Sequence, residues 1–200
     1  MESIIDMAAT AASRDPLAFR LDLLAGGTPD QRRLAGVLTL AAEKAGWGTP
    51  AGAGRGRGIA VHKSFGSYVA QVVEVSRGAG DTVKIDKVTC AVDCGVPVNP
   101  DVIMAQMEGG IGYGLGHVMR DEITLEGGEV VQSNFPDYEP LRIGDIGAIE
   151  THIVPSTEAP SGVGEPAVPP AGPALANAIF ALTGKRVTRL PMEKSGITFA

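Results

Sequence analysis

The chain is poor in aromatic residues, in cysteine, in positive charge and in long apolar runs, and each shortage closes off a class of protein. Aromatics make up 4% of the 200 residues while hydrophobic residues reach 44%, so the core must be built mainly from Ala, Val, Ile and Leu. Seventeen basic residues against 23 acidic ones leave a net charge of -6, with no basic stripe, which argues against nucleic acid or an anionic membrane as partner. No apolar run approaches a bilayer span. The N-terminus, MESIIDMAATAASRD, lacks the basic region and long apolar stretch of a secretory signal, so a soluble chain is expected. Cys90 and Cys94 are the only cysteines. On an extended segment they lie too far apart for an unstrained disulfide and read as small buried apolar side chains. His62, His117 and His152 show no metal-ligand spacing with them or with one another, so no protein-ligated metal is expected.

What is present divides the chain. Residues 1–46 read as a helical segment, with Pro16 and Pro29 opening two of its helices, and residues 47–200 as the main domain. GTPAGAGRGRG (48–58) reads as a glycine-rich loop whose arginines could meet an anion. The period then becomes strand-like through IAVHKSF, SYVAQVVEVSR and TVKIDKVTCAVDCG, an antiparallel meander. Asn99 and Pro100 open a buried helix that carries five glycines, Gly109, Gly110, Gly112, Gly114 and Gly116. Each costs on the order of 1 kcal/mol against Ala, so close approach of a backbone or a large ligand is required. Two short strands joined by Gly127-Gly128, a further strand at 148–154 and a C-terminal helix after Pro169, Pro170 and Pro173 complete the pattern. Strands and helices are segregated rather than strictly alternating. The fold class is therefore α+β, with an antiparallel or mixed sheet.

One carboxylate stands out. Glu165 sits in SGVGEP between Gly164 and Pro166, where the backbone on both sides is restricted. A carboxylate so fixed near apolar groups suits general-base work, because burial moves its pKa toward the operating pH. A capping or merely exposed glutamate is the plainer alternative. Asp93 and Asn99 read as turn residues, Glu108 as a possible neighbour of the site, Asn134, Asp137 and Tyr138 as a polar loop, and Asn177 as a brace for the Glu165 loop.

The order VDCGVPVNPDVIMAQMEGGIGYGLG (92–116), QSNFPDY (132–138) and SGVGEPAVPPAGPALANAIFALTGKRVTRLP (161–191) resembles the C-terminal part of the molybdenum-binding large subunit of the xanthine oxidase family. It is most similar to the isoquinoline 1-oxidoreductase beta-subunit group, often described as aldehyde dehydrogenase-like. The resemblance implies that Glu165 is the base that takes a proton from a molybdenum-bound hydroxide during oxidative hydroxylation of an N-heterocycle or aldehyde, with water as oxygen source. It implies that Gln106 hydrogen-bonds the pterin and that Gly109, Gly110 and Gly164 lie against the same cofactor, a molybdopterin usually present as its cytosine dinucleotide in bacterial members. The cofactor carries the redox chemistry. Tyr113 stands where many relatives have a second glutamine, so that contact is not carried over. The partners implied are the upstream half of the large subunit, an Fe-S small subunit that carries the clusters, and a small-molecule substrate. The family's upstream glycine-rich stretches precede Met1, so the chain reads as a fragment, a separately expressed domain or a split gene product that by itself binds cofactor weakly or not at all. Any export signal would also lie upstream or on a partner, which leaves cytoplasm and periplasm both open. The alternative from another class is a non-catalytic assembly module that keeps the fold without the cofactor.

Overall fold

The computed structural model describes residues 1–200. Three helices lead, α1 (Glu2–Ala11), α2 (Pro16–Leu23) and α3 (Pro29–Lys44). Their starts follow local chemistry: the Asp15 side chain accepts from the Ala18 N–H at 2.9 Å, and Thr28 with Gln31 forms a capping box ahead of Pro29. Strands β1 (Arg55–Ser64), β2 (Ser67–Arg77) and β3 (Val83–Asp93) form the expected antiparallel meander. Helix α4 (Pro100–Met119) follows, capped by Asn99, whose side chain accepts from the Val102 N–H at 3.2 Å. The hairpin of β4 (Leu125–Glu126) and β5 (Glu129–Val130) is shorter than the sequence suggests, and it turns on Gly127 and Gly128 with φ of +59° and +89°. Strand β6 (Ile146–Ile153) and helix α5 (Val168–Thr183) complete the chain.

The sheet order is β1-β2-β3-β6, and β6 runs parallel to β3, so the sheet is mixed. Strand alternation decides which helix covers which face. Val69, Val73 and Val75 of β2 point with Val88, Cys90 and Val92 of β3 into the larger core, against Ile111 and Leu115 of α4 and Leu175 and Ile179 of α5. Tyr68, Ala70 and Val72 point the other way, against Val37, Leu38 and Ala41 of α3. Helices thus cover both faces of the sheet. Cys90 is fully buried and its thiol is pushed up to about 12 by that burial alone; both cysteines are free.

Two expectations need correction. Residues 55–58 are not loop but the start of β1, because glycine there lets α5 lie directly on the strand. A Cβ at Gly58 would stand 2.1 Å from the Ala178 nitrogen and 2.3 Å from the Ala174 oxygen, and one at Gly56 2.5 Å from the Ala178 oxygen. The two arginines are also engaged, Arg57 with Glu74 at 2.7 Å and Arg55 with Asp86 at 3.4 Å. The second correction concerns α5, which begins before its prolines' expected end and holds Pro173 inside it. The hydrogen bond that Pro173 cannot donate would have gone to Pro169, which is exposed to water.

The N-terminal helices are tied down by charge. Arg20, 2% exposed, donates to Glu2 at 2.8 Å, and the same Glu2 oxygen accepts from the Val61 N–H of β1 at 3.1 Å. Asp6 receives Arg186 at 2.7 Å. On the far side Arg33 of α3 makes a two-pronged pair with Asp93, both contacts at 2.7 Å, and Asp93 also accepts from the Gly95 N–H at 3.2 Å. Burial works against ionisation of Asp93, but Arg33 and the Gly95 amide together hold its carboxyl below the ordinary carboxylate range.

Gly58→Val is expected to destabilise the chain by about 3 kcal/mol or more, since a backbone rather than a flexible side chain would have to move; urea unfolding measures this, and a loss under about 1 kcal/mol would refute the backbone-contact account. The Asp93 pair sets an acid-side dependence. Its folded pKa lies below the unfolded one, so its contribution is complete above about pH 4 and disappears as pH falls through the folded value. The stability gap between wild type and Asp93→Asn should therefore be widest at neutral pH and narrow in acid.

Candidate functional site

Helices α4 and α5 meet along a seam of small residues. A Cβ at Gly110 would touch the Ala167 methyl at 3.0 Å, and one at Gly114 would lie 2.7 Å from the Val168 oxygen and 2.9 Å from the Ala171 methyl. Gly116 is likewise crowded, with Asp121 at 2.8 Å. Gly109 and Gly112 differ: nothing lies within 4 Å of a Cβ at either. Three of the five helical glycines are thus explained by packing inside the chain. The other two leave bare backbone on the open face of α4.

That face lines a cleft of about 330 Å³ between α4 and the loop before α5. Gln106 and Gly109 project into it from the helix, Gly164 and Glu165 from the loop, and Tyr113 and His117 close one side. A Cβ at Gly164 would stand 3.7 Å from Gln106 Nε2, so the amide end of Gln106 lies over the loop. The structure therefore gathers Glu165, Gln106, Gly109, Gly110 and Gly164 in one place, from positions up to 59 residues apart in sequence. Glu165 is exposed, as is Gln106. The burial expected for a general base is not supplied by this chain's own residues, because the cleft is open on the side away from α4 and α5.

The Glu165 loop is stitched to the sheet on the side facing the chain. Ser161 donates its N–H to the Cys94 oxygen at 2.9 Å, and Gly162 donates to the Phe65 oxygen at 3.1 Å. Ser67 Oγ donates to the Gly162 oxygen at 2.7 Å and lies 2.8 Å from Ser161 Oγ. Two residues past Glu165, the Ala167 oxygen accepts from the Gln71 side chain at 2.7 Å, a contact fully buried. Val168 N–H returns to the Glu165 oxygen at 3.0 Å. Ser67 and Gln71 were not singled out in the sequence. For Gln71 a signal was available, since it is a polar residue within the apolar run Tyr68–Val73; Ser67 opens the strand and carries no such mark, and both are 0% exposed.

Other candidates fall elsewhere. Asn177 donates to the Ile59 oxygen of β1 at 3.1 Å, and so braces α5 against the sheet rather than the Glu165 loop. Asn134 and Asp137 cap one short 3-10 turn, Phe135–Asp137, while Tyr138 donates to Asp121 at 3.1 Å. Glu108 is exposed and does not line the cleft. No three His, Cys, Asp or Glu side chains come together as metal ligands. An amide, a carboxylate and bare glycine backbone around one open cleft suit a large ligand rich in hydrogen-bonding nitrogen and oxygen.

Comparison with known proteins identifies the family of the chain. Residues 36–147 match the sequence model of the molybdopterin cofactor-binding domain. The chain is similar to the isoquinoline 1-oxidoreductase subunit beta of Brevundimonas diminuta, 35% identical over 96% of this chain and 25% of that protein. It is similar as well to the membrane-bound aldehyde dehydrogenase [pyrroloquinoline-quinone] of Gluconacetobacter polyoxogenes, 35% identical over 98% of this chain and 28% of that protein. It thus spans about a quarter of the length of these relatives. Among solved structures, quinoline 2-oxidoreductase from Pseudomonas putida 86 shares the fold at a TM-score of 0.54 and 21% identity, over 59% of this chain and 16% of that one. Since the matched segment takes in more than half of the chain, including the meander and the glycine-rich face of α4, this chain belongs to the molybdopterin cofactor-binding domain family.

Proposed function

We propose that the chain is the C-terminal, cofactor-facing part of a molybdenum hydroxylase subunit that oxidatively hydroxylates an N-heterocycle or an aldehyde, with water as the oxygen source. The observation that carries this is the convergence of Glu165 and Gln106, from a loop and a helix far apart in sequence, on one cleft floored by bare glycine backbone. An assembly module would need no such convergence. A molybdopterin, as its cytosine dinucleotide, would supply the two-electron oxidation when bound, and an Fe-S partner subunit and the upstream half of the large subunit would complete the complex.

The chain's own residues have three tasks. Gln106 offers an amide that can donate and accept at the cofactor's polar edge. Gly109 and Gly164 let that edge approach main chain without meeting a Cβ, and Gly110 keeps α4 seated on Ala167 so that this surface stays in place. Glu165 takes up a proton at its carboxylate as oxygen is delivered to substrate, held in position by the anchored carbonyls of Gly162 and Ala167 on either side of it. The upstream half, by covering the open side of the cleft, would provide the dry surroundings that make a carboxylate an effective base near neutral pH.

Three outcomes are expected. In the complete complex, co-expressed with its upstream and Fe-S partners, Glu165→Gln should lower dye-coupled turnover by roughly 10²–10⁴-fold at unchanged molybdenum content; retained turnover rules out the base, and a complete complex without molybdenum rules out the hydroxylase. Gly109→Ala should stabilise the chain by about 0.5–1 kcal/mol, because the site has normal helical geometry and open space, while lowering molybdenum content in the complex. Gln71→Leu removes the buried anchor of Ala167. It should cost about 1–3 kcal/mol and speed hydrogen exchange at residues 161–168 beyond that of the surrounding strands, which a general loss of stability would not do selectively.

A further inference from the structure

Helix α1 carries its polarity the wrong way round. Its two carboxylates, Glu2 and Asp6, point into the protein with 12% and 6% of their side chains exposed, while Ile4 is 69% and Met7 48% exposed. Ala8 and Ala11 are exposed as well. Residues three and four apart lie on one side of a helix, so Ile4, Met7, Ala8 and Ala11 make a stripe along the outer face of α1 that holds no charge. A surface helix ordinarily turns such a stripe toward the core.

The inward carboxylates enforce this orientation. Glu2 accepts from Arg20 and from the Val61 N–H, and Asp6 lies 3.7 Å from Arg20 and 2.7 Å from Arg186. Arg186 also donates to Thr10 Oγ1 at 2.8 Å. Two carboxylates thus stand against two guanidinium groups. Rolling α1 over to bury its apolar stripe would leave Arg20, 2% exposed, as a buried charge without a partner, which costs more than the stripe would gain. The apolar face is therefore held outward by the chain's own ion pairs.

The stripe leads into a groove of about 410 Å³. Met1 and Ser3 of the α1 start border it, with Val118 at the end of α4, Pro169 of α5, and Val187 and Leu190 of the segment that Arg186 ties to α1. Val118 and Pro169 are chain neighbours of His117 and Val168, which line the Glu165 cleft, so whatever fills the groove also reaches the edge of that cleft. An uncharged apolar face of this kind suits a permanent contact, since transient interfaces are more polar. The chain spans only 25% and 28% of two relatives that it matches, and a subunit of their length brings ample protein to cover it.

We propose that the outer face of α1, with the groove beside it, is a seat for the upstream half of the large subunit, a contact separate from the covering of the Glu165 cleft. The inference rests on the proposed subunit reading for the identity of the occupant. In the complete complex, dilute hydrogen peroxide reads the face without any substitution, because methionine is oxidised where the reagent reaches it. Met107 and Met192, 0% and 1% exposed, are the buried references. Met7 should oxidise as slowly as these two; a Met7 that oxidises several-fold faster overturns the proposal. Ile4→Glu combined with Met7→Glu should cut the chain recovered with a tagged upstream half at least about tenfold, since the new charges would be buried unpaired at the contact. Leu23→Glu, on the exposed side of α2, should leave recovery unchanged. Circular dichroism verifies that these surface variants stay folded. Undiminished recovery of the double variant, or an equal loss in Leu23→Glu, would refute the seat. A double variant that keeps the upstream half but halves the mass of the complex assigns the face to a second copy instead, and one that loses only its attachment to phosphatidylcholine vesicles assigns it to a membrane; either result overturns the proposal. A complex that forms without molybdenum, or stays active as Glu165→Gln, refutes the hydroxylase reading and leaves the association and Met7 results standing.

Discussion

Helix α5 lies where it does only because β1 offers it no side chains at positions 56 and 58. With Cβ positions there only 2.1–2.5 Å from the helix backbone, the contact is main chain against main chain, and glycine alone allows it. The consequences run outward from that contact. The start of α5 fixes Ala167, Ala167 seats Gly110 of α4, and the loop entering α5 carries Glu165. The spacing between Glu165 and the glycine-bearing helix thus depends on a contact made farther along α5, at Ala174 and Ala178.

Much of this was legible in the sequence, for identifiable reasons. The meander showed itself because β2 and β3 are rich in Val and Ile and are separated by turn residues, and α3 and α4 because Thr28, Asn99 and the following prolines announce helix starts by local hydrogen bonding. The GRGRG stretch was misread because local propensity treats glycine as a breaker, whereas the requirement here comes from a helix about 120 residues away in sequence. The parallel placement of β6 is likewise non-local, and nothing within IGAIETHI distinguishes it from another antiparallel strand. Pro173 misled for the converse reason: the rule against proline within helices assumes that the orphaned carbonyl has no water.

The site divides along the same line. Glu165 was visible through its flanking Gly164 and Pro166, both chain neighbours. Its neighbourhood to Gln106 followed from family likeness rather than from any spacing, since the two share only a cleft. The five glycines of α4, alike in sequence, separate in the structure into three that serve packing and two that serve the open face. Ser67 and Gln71 went unnoticed because their partners are backbone carbonyls of a loop that sequence patterns cannot place.

The stitching of that loop bears on how a ligand can be accommodated. Residues 161–168 are bound to Phe65, Ser67, Gln71 and Cys94, all on or beside the central strands, so the loop cannot shift without disturbing the sheet. The Glu165 side of the cleft is accordingly held in shape by the chain's own hydrogen bonds, so a ligand that fits it as it stands would pay little to order this loop.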